Sequence, residues 1–534
     1  MGCCGSASTY GIDPATTRDK IQQFRQRSGG DVLVMAIKDQ NVPGKLCFAG
    51  AVEESLVQEL AEKLRAEPHN EKVEMKLDSY DAMYDFVMHN TSLTSGHSTF
   101  SLAKAYFPRG RTMVKILDFL AEKGWGLAAT PNFGGVESRD DKGNVTSCVD
   151  WPVFVFYKDT SQTYTAKHLF LAIKDSNIPG KLCAAGPVDS LEGEMTQALG
   201  PFMSDVKSEK DSYDEDYDVV WRNTSLTTGM QALSLGKKYF PKGKNNIAML
   251  QCAYKAGWRC VAAPNFGGKG DSWPCYIFRQ VAELSEPPEL LFASIKDSNI
   301  PGKLCFSGPS AQIATDATVA ALKDVPDNAG VKSEKDSYDE DHDSVVRDVK
   351  ITTGMAAFSL KLAYFPRCDS MLAYLRAMAG CGYQVVCCPN FGGMLDSWPT
   401  FVFEKRAGEL KPNAFLAVKD DNIPGKLCLG GDGIAGDSAL GGELLQALQE
   451  LCGPKVQQGS DSYDSSFAFA YKHTKITSGH ATFTFAKCYF PHGFVVEAVL
   501  QVMLKHGWKV AGGPNFGDNG SQWPGMIFEP VGTA

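Results

Sequence analysis

Apolar and polar residues follow one order that recurs four times along the chain. In the second copy, LFLAIKD predicts a strand, SNIPGK a turn and LCAAG a second short strand. In the first copy, VEESLVQELAEKLRAE has apolar residues at intervals of three and four, which predicts a helix. Alternation in YDVVWRN and ALSLGKKYF, on either side of TSLTTGM, predicts a hairpin whose second strand ends at a proline. An amphipathic helix, MVKILDFLAEKGW, and a second hairpin, from GLAATPNF to WPVFVFYKD, complete the copy.

This order, β-β-α-β-β-α-β-β, predicts an α+β domain in which an antiparallel sheet packs against two helices. The copies begin with AIKDQNVPGKLC, AIKDSNIPGKLC, SIKDSNIPGKLC and AVKDDNIPGKLC, each followed by DSYD, YFP, PNFG and WP. From Tyr80 to Pro108 is 28 residues and from Pro108 to Pro131 is 23, and both intervals are the same in all four copies. A block that keeps its length in every copy is expected to form the packed core.

The repeats predict four tandem copies of a ~120-residue domain, a length that buries enough surface to fold alone. Short joints that contain proline or charge, such as ELSEPPEL and KRAGELKPNAF, separate the copies. We therefore expect independent beads without a continuous shared core, rather than a solenoid. The predicted units are an acylated membrane-anchor segment with a short helix at 1–30 and repeat domains at 31–158, 166–281, 289–406 and 412–531.

Composition narrows the class of protein. The 534 residues are 43% hydrophobic and 22% charged, as in folded soluble domains, and the net charge is −9. Because no basic block of five or more residues occurs, a nucleic-acid partner is not expected. The sequence has no apolar run of about 18 residues that would span a bilayer, and its start lacks the apolar stretch typical of a secretory signal.

The 16 cysteines, in a chain without a predicted export signal, are expected to be reduced thiols. The absence of C-x-x-C pairs disfavours structural zinc. Four cysteines recur at one repeat position: Cys47, Cys183, Cys305 and Cys428. We expect these four to be small buried hydrophobic residues rather than catalytic or redox groups.

The first eight residues, MGCCGSAS, carry the clearest functional pattern. Gly2 and Ser6 fit M-G-x-x-x-[ST], which predicts N-myristoylation of Gly2 after removal of Met1. Because one myristoyl chain holds a membrane only marginally, stable anchoring needs a second signal, and Cys3 and Cys4 are candidates for palmitoylation. This start resembles the doubly acylated N-termini of Src-type kinases and G-protein α subunits, and the resemblance implies a lipid anchor but says nothing of the repeats. The alternative is an unmodified tail.

A short helix is predicted behind this segment. Asp13 fits a helix N-cap and Pro14 the first helical position, and the helix should reach about Gln26 before a flexible Gly29-Gly30 joint. Its cations either contact an anionic leaflet or face solvent: Arg18, Lys20, Arg25 and Arg27.

Two repeated motifs suggest ion or phosphate chemistry. Acidic stretches such as DSYDEDYD could hold calcium, but they lack the glycine and the final glutamate of an EF-hand loop. A turn in which aspartate bonds nearby backbone amides is the simpler interpretation. The PGK motif lacks the additional glycine and the Ser or Thr of a phosphate-binding loop. We therefore expect a Pro-Gly turn beside an exposed lysine in each copy: Lys45, Lys181, Lys303 and Lys426.

Catalytic groups are less clearly indicated. His97 and His480 could act as general bases in the outer copies only, because Met230 and Met355 replace them in the middle copies. No common nucleophile–base motif occurs, and no catalytic residue is assigned. The phenylalanine of PNFG either forms an exposed binding patch or packs against the tryptophan of WP to fix the hairpin.

The candidate binding residues come from the KDxNxPGK turn and the PNFG loop. In chain order they are Asp39, Lys45, Asn132, Phe133, Asp175, Lys181, Asn265, Phe266, Asp297, Lys303, Asn390, Phe391, Asp420, Lys426, Asn515 and Phe516.

The favoured hypothesis is a multivalent scaffold or adaptor, anchored by acyl chains at the cytosolic face of a eukaryotic plasma, flagellar or pellicular membrane. Four similar surfaces on one chain would raise its avidity for protein partners. The alternative is a membrane-tethered enzyme with a site between the turn and the loop of one or more repeats, where Asp39, Lys45 and Asn132, or their equivalents, supply the polar groups. Neither hypothesis calls for a cofactor, a metal or a nucleic acid.

Overall fold

The structure is a computed structural model. It describes residues 14–29, 31–38, 44–77, 82–95, 107–139, 145–158, 167–174, 180–210, 214–228, 240–268, 271–281, 286–296, 302–352, 365–392, 397–408, 413–419, 425–460, 465–477, 490–517 and 522–532.

One helix precedes the repeats, and the first repeat follows it. The helix is α1 (Pro14–Ser28). The first repeat contains β1 (Val32–Lys38), β2 (Gly44–Gly50), α2 (Glu54–Arg65), β3 (Glu74–Met75), β4 (Phe86–Thr91), α3 (Gly110–Glu122), β5 (Trp125–Ala129), β6 (Asn132–Arg139) and β7 (Val145–Lys158).

The second repeat has the same order of elements. It contains β8 (His168–Lys174), β9 (Lys181–Ala185), α4 (Glu192–Leu199), β10 (Lys207–Ser208), β11 (Val219–Arg222), α5 (Gly243–Lys255), β12 (Trp258–Ala262), β13 (Asn265–Gly268) and β14 (Asp271–Gln280).

The third and fourth repeats follow the same plan. The third contains β15 (Leu290–Lys296), β16 (Lys303–Ser307), α6 (Ala311–Lys323), β17 (Lys332–Ser333), β18 (Ser344–Arg347), α7 (Cys368–Gly380), β19 (Tyr383–Cys387), β20 (Asn390–Gly392) and β21 (Ser397–Lys405). The fourth contains β22 (Ala414–Lys419), β23 (Lys426–Gly431), α8 (Ser438–Cys452), β24 (Gln457–Gln458), β25 (Phe469–Lys472), α9 (Gly493–Lys505), β26 (Trp508–Gly512), β27 (Asn515–Phe516) and β28 (Trp523–Pro530).

Each repeat contributes seven antiparallel strands among the described residues, and a pairing of Gly268 in β13 with Val149 in β7 joins the sheets of the first two repeats. In the first repeat the order is β3-β4-β2-β1-β7-β5, and β6 pairs with the other half of β7. The other three sheets have the same order, which confirms the predicted α+β class with four tandem copies. The short first-repeat strand β3 and its equivalents were not predicted. The predicted strand ALSLGKKYF lies outside the described residues except for Phe240, and Thr227 and Pro241 at its two sides form an isolated bridge.

Both faces of each sheet are apolar. In β1, Leu33 and Met35 belong to a core with α2 and α3, whereas Val34 and Ala36 belong to a core with α9 of the fourth repeat. Strands that are covered on both faces read as continuous apolar runs, as these strands do. The first strand of every repeat is therefore a buried central strand.

The second helix of each repeat packs between its own sheet and the sheet of the next repeat. Helix α3 contacts β8 and β9, α5 contacts β15 and β16, and α7 contacts β22 and β23. Helix α9 contacts β1 and β2, so the fourth repeat packs on the first. The four repeats therefore close into a ring. We call the four contacts seams 1/2, 2/3, 3/4 and 4/1.

The hydrophobic cores follow the seams rather than the repeats. Each of the four clusters combines residues of two neighbouring repeats, including the fourth with the first. The expectation of beads without a shared core is therefore wrong. The physical reason is the second apolar face of each sheet, which one repeat alone leaves uncovered.

Four strands surround the centre of the ring. Strands β5, β12, β19 and β26 each contact the two strands on either side of them in this set. Side chains fill the space between them: Cys260 Sγ lies 3.2 Å from Cys387 Sγ, and Ala263 N donates to Thr130 Oγ1 at 3.1 Å.

Helix α1 lies on seam 4/1, and its four cations do not all face outward. Ile21 and Phe24 are buried in the core of that seam. Arg25 Nε donates to Glu497 Oε1 at 2.7 Å, and Arg25 Nη1 donates to Asp85 Oδ1 at 3.0 Å. The predicted leaflet contact is thus wrong for Arg25, whose side chain is 7% exposed, because its charge is neutralised within the ring.

Candidate functional site

The lysine of each PGK motif is buried, whereas the sequence predicted an exposed lysine. Lys45, Lys181, Lys303 and Lys426 are 9%, 6%, 8% and 7% exposed. Lys181 Nζ donates to the two carboxylate oxygens of Asp214 at 2.8 and 2.9 Å. Burying an ammonium group is costly unless a carboxylate pairs with it, and this pairing explains the position.

The third repeat has the same ion pair, and there the structure describes the whole DSYD motif that supplies the carboxylate. Lys303 Nζ donates to Asp339 Oδ1 and Oδ2 at 2.8 and 2.9 Å. Asp339 ends the DSYD motif, which forms a 3₁₀ turn at Ser337–Asp339 in which Asp336 N donates to Asp339 Oδ2 at 3.2 Å. The predicted amide-bonding turn is present in this repeat, and its aspartate also holds the buried lysine.

The asparagines of the PNFG motif are buried and pair with the residue that precedes the WP tryptophan. Ser272 Oγ donates to Asn265 Oδ1 at 3.0 Å, and Ser397 Oγ donates to Asn390 Oδ1 at 2.9 Å. The other two asparagines instead donate from their amide nitrogens. Asn132 Nδ2 donates to Asp150 Oδ1 at 2.8 Å, and Asn515 Nδ2 donates to Gln522 Oε1.

The phenylalanines of PNFG are core residues, not an exposed patch. Phe133, Phe266, Phe391 and Phe516 are at most 2% exposed. Each lies directly across from the tryptophan of WP in the paired strand, as Phe133 does from Trp151. The alternative in which the two aromatic residues fix the hairpin describes this geometry.

Among the candidate polar groups that the structure describes, the lysine and the asparagine of a repeat are far apart. Asp39, Asp175, Asp297 and Asp420 lie outside the described residues. In the first sheet Lys45 is on β2 and Asn132 is on β6, and β1 and β7 lie between those strands. Three strand spacings correspond to roughly 14 Å. The lysine and the asparagine therefore belong to different hydrogen-bonding networks.

Repeated aromatic contacts cross the seams instead. The phenylalanine of YFP in one repeat meets the tryptophan of WP in the next repeat edge to face, with ring centroids 5.3 to 5.6 Å apart. The lysine before the KDxNxPGK aspartate lies over the same phenylalanine, with Nζ 4.8 to 4.9 Å from the ring centroid. The four lysine–phenylalanine pairs are Lys174 with Phe107, Lys296 with Phe240, Lys419 with Phe365, and Lys38 with Phe490. We call the side of the ring where these contacts lie the loop end.

A fourth side chain completes each aromatic contact and varies between seams. Tyr217 Oη donates to the carbonyl oxygen of Pro108, and Tyr84 Oη donates to that of Pro491, both at 2.5 Å. His342 holds this position at seam 2/3, with its ring centroid 5.6 Å from that of Phe240. Burial lowers the pKa of His342 to about 3.

The sequence predicted the rigid block but not these cross-repeat contacts. The constant intervals between DSYD, YFP and PNFG signal packing, yet linear spacing does not tell which repeat's tryptophan meets which phenylalanine. One feature of the sequence could have indicated the lysine–phenylalanine contacts. All four copies have a lysine at the end of an otherwise apolar strand, directly before the aspartate of KDxNxPGK: Lys38, Lys174, Lys296 and Lys419.

A polar cluster links the first and fourth repeats near the hairpins of the loop end. Gln522 Nε2 donates to Asp150 Oδ1 at 3.2 Å, so Asp150 receives hydrogen bonds from two amide groups. Burial raises the pKa of Asp150 to about 7, and the hydrogen bond from Asn132 opposes this effect. The oxygens Asn132 Oδ1 and Asn515 Oδ1 are buried without a hydrogen-bond partner.

A groove of about 450 Å³ lies between α1 and α8, with Lys505 of α9 at its edge, and the sequence analysis did not anticipate it. Its charged side chains are paired: Arg27 Nη2 lies 2.6 Å from Glu450 Oε2, and Lys505 Nζ lies 2.7 Å from Glu443 Oε1. Among the residues that the structure describes, no three His, Cys, Asp or Glu side chains group in a way that could hold a metal ion. None of the helices described is long and apolar enough to cross a membrane.

The chain was compared with known protein families, with curated proteins and with solved structures, and none of the three comparisons gave a match.

Proposed function

We propose that this protein is a lipid-anchored scaffold: a closed ring of four repeats, tethered by acyl groups on Gly2, Cys3 and Cys4, that binds protein partners at several repeats at once. The proposed location is the cytosolic face of a eukaryotic membrane. The observation that carries the proposal is the way in which α1 is docked, because α1 connects the acylation motif to a fixed place on the ring.

Helix α1 runs parallel to α9. Arg25 contacts Glu497, and one turn later on both helices Ser28 Oγ donates to Gln501 Oε1 at 2.5 Å. Pro14 therefore lies toward the loop end, where α9 begins. Gly2 is 12 positions before Pro14, and an extended chain of that length spans at most about 40 Å. Acyl groups at the start of the chain would thus hold the loop end close to the bilayer.

Charge supports the same orientation. Isolated bridges join Thr94 to Pro108, and the equivalent residues in the other repeats, and each bridge encloses one segment of the sequence. The sequences of these segments contain lysine and aromatic residues but no Asp or Glu, although the whole chain is acidic: 95–107, 228–240, 353–365 and 478–490. Cationic residues near an anionic leaflet add about 1 kcal/mol each to membrane affinity.

The ring also suits multivalent binding. Neighbouring repeats share their cores, so the four repeats keep a fixed spacing instead of moving as separate beads. A partner with repeated binding elements then meets preorganised sites, which raises avidity through effective concentration. The enzyme hypothesis gains no comparable support, because Lys181 and Lys303 are each committed to a buried ion pair.

Membrane fractionation of the full chain tests the anchor. Wild type is expected in the membrane pellet, Gly2→Ala in the soluble fraction, and Cys3→Ser/Cys4→Ser mostly soluble because one myristoyl chain binds only marginally. Gly5→Ala is the matched control, since it leaves both the M-G-x-x-x-[ST] pattern and the thiols intact. A soluble wild type, or an N-terminus found unmodified by mass spectrometry, would refute the anchor.

The scaffold role needs a separate measurement. A protein that is recovered with wild type from the membrane pellet, and lost with Gly2→Ala, is purified and titrated against the intact ring. We expect more than one copy of that protein, or of its binding element, per ring. A single bound copy with one binding element would contradict multivalent scaffolding.

A further inference from the structure

Seam 4/1 is the one seam whose two repeats are not consecutive in the chain. At the other three, a short stretch of chain joins the last strand of one repeat to the first strand of the next, which is part of the sheet that the second helix packs against. At seam 4/1 the helix α9 and the strands β1 and β2 are held by packing and by α1. Because α1 leads directly into β1 and lies on α8 and α9, it bridges the two repeats.

The contact at the middle of this bridge is a buried group of three charges. Arg25 Nη2 lies 2.5 Å from Glu497 Oε2 and 2.6 Å from Asp85 Oδ2, and the three side chains are 7%, 0% and 10% exposed. Burial by itself would lower the pKa of Arg25, but hydrogen bonds from its guanidinium to the two carboxylates outweigh burial and raise it. Removing one member of such a group leaves the others buried without compensation.

At two of the other three seams, a cation on the second helix pairs with the aspartate that corresponds to Asp85. Seam 3/4 has no such pair, because its helix position is Asp369 and Ala468 stands in place of the aspartate. The residue after the first residue of the helix is Arg111 at seam 1/2, where Nε donates to Asp218 Oδ1 at 2.7 Å. At seam 2/3, Lys244 Nζ lies 3.7 Å from Asp343 Oδ1. At seam 4/1 the corresponding helix residue is Phe494, and Arg25 supplies the cation for the equivalent aspartate.

Glu497 is likewise particular to the closing seam. The fifth residue of the second helix is Val114, Ile247 and Leu372 in the first three repeats, and each is buried there. Only the fourth repeat has a carboxylate at this position, and it meets Arg25 of α1. The fourth repeat is thus adapted to receive α1.

We propose that α1 is a strap that closes the ring at seam 4/1, and that its release opens this seam while the other three stay closed. The strap is a property of the ring itself and stands without the lipid anchor. If the anchor proposed above is correct, the strap also places the membrane attachment next to the seam that can open.

The protein contains a reporter for each seam. Cys47 is buried in the core of seam 4/1, Cys183 in that of seam 1/2, Cys305 in that of seam 2/3 and Cys428 in that of seam 3/4. These cysteines occupy the same repeat position and are at most 1% exposed. Their alkylation rates, read by peptide mass spectrometry, therefore measure the opening of each seam under matched conditions.

The test uses the full chain with Gly2→Ala in every variant, so that its result does not depend on acylation. Arg25→Leu is expected to raise the alkylation rate of Cys47 by about tenfold or more, and to change the other three rates less than about twofold. Arg27→Leu is the matched control on the same helix, since Arg27 is half exposed and its pair with Glu450 lies at the surface.

Two results would overturn the strap. Equal acceleration at all four cysteines would show a general loss of stability, and an unchanged Cys47 rate would show that α1 does not hold the seam. If Arg25→Leu does not fold, Ser28→Ala decides between the same outcomes, because it leaves the three charges in place and removes a hydroxyl that lies 2.5 Å from Gln501 Oε1 on α9 and 2.9 Å from the carbonyl oxygen of Phe24 on α1.

Discussion

Trp151 of the first repeat meets Phe490 of the fourth repeat edge to face, with ring centroids 5.4 Å apart and planes at 86°. The corresponding pairs at the three consecutive seams have nearly the same geometry: Trp273 with Phe107, Trp398 with Phe240, and Trp523 with Phe365. The seam that joins the two ends of the repeat array is thus built like the others. The repeats make the same aromatic contact at all four seams, and α1 adds contacts at seam 4/1 that hold together two repeats that are not consecutive in the chain.

The first helical residue at three seams is a glycine pressed against the next repeat. A Cβ at Gly110 would lie 2.5 Å from Tyr217 Cε1 and 2.8 Å from Ala185 Cβ. Gly110→Ala is therefore expected to destabilise the ring by about 1–3 kcal/mol, through overpacking. Gly193→Ala is the control, because nothing lies within 4 Å of its Cβ position in α4, and it should gain about 0.5–1 kcal/mol. Urea unfolding measures both, and a neutral Gly110→Ala would contradict the close approach at seam 1/2.

Seam 2/3 is expected to weaken in acid because of His342. Its folded pKa of about 3 lies below the ordinary value of 6.5, since burial disfavours the charged ring. Above pH 6.5 the group is neutral in both states and has no effect. Between about pH 6.5 and pH 3 the unfolded state binds a proton that the folded state does not, so stability falls by up to about 1.4 kcal/mol per pH unit.

His342→Tyr should remove this part of the acid sensitivity, because the first two repeats have tyrosine at that position. The check is the difference in unfolding free energy between pH 7.5 and pH 5, for wild type and variant. His69→Gln is the control and should keep the wild-type difference, since its side chain is about half exposed. An equal pH dependence in His342→Tyr would show that His342 is not buried in the neutral form.

The Asp150 carboxyl is expected to cost stability at alkaline pH. Burial raises its pKa from 3.8 to about 7, so its contribution is most favourable below pH 3.8 and is lost as the pH rises through about 7. Asp150→Ser is expected to stabilise the protein by about 1–3 kcal/mol at pH 8, and to bring no comparable gain at pH 4. Serine is the residue at this position in the second and third repeats, where its hydroxyl satisfies the asparagine oxygen. Thermal unfolding at the two pH values measures the effect, and a loss of stability at pH 8 would contradict it.

A single excised repeat should not behave as an independent domain. In the fragment 166–281, the sheet face that contacts α3 would be exposed, including Phe170, Ala172 and Cys183, which are fully buried in the ring. We expect this fragment to self-associate or to lack fixed tertiary packing, as large exposed apolar faces do. Size-exclusion chromatography with light scattering and near-UV circular dichroism test this. A monomer that unfolds cooperatively would show that the shared cores are not required.

The sequence predicted the elements of one repeat better than the relations between repeats. The helix from Met113 onward, the hairpin from GLAATPNF to WPVFVFYKD and the buried Cys47 position follow from periodicity, and the structure confirms them. Ring closure was not predicted, because an apolar run on a strand does not tell whether a helix of the same repeat or of a neighbouring repeat covers each face. The continuous runs in the first strands were the signal of a sheet that is covered on both sides.

The surroundings of the candidate site residues were predicted less well than the fold, and Lys181 shows why. A lysine after Pro-Gly is usually at the surface, so local sequence favours exposure. Its partner Asp214 is 33 residues away on a different motif, and pairing across a sheet cannot be read from local sequence. The phenylalanines of PNFG were ambiguous for the same reason, since their burial depends on tryptophans in the paired strand.

Because each second helix is shared by two sheets, the number of copies in this protein is set by geometry. A linear array gains or loses a unit at its ends and keeps every other contact. Here the loss of one unit would leave an uncovered sheet face and an unpaired helix at the gap, and an added unit would have to alter the angle at every interface. Gene duplications that change the count from four are therefore expected to be selected against, unless they rebuild the whole circle at once.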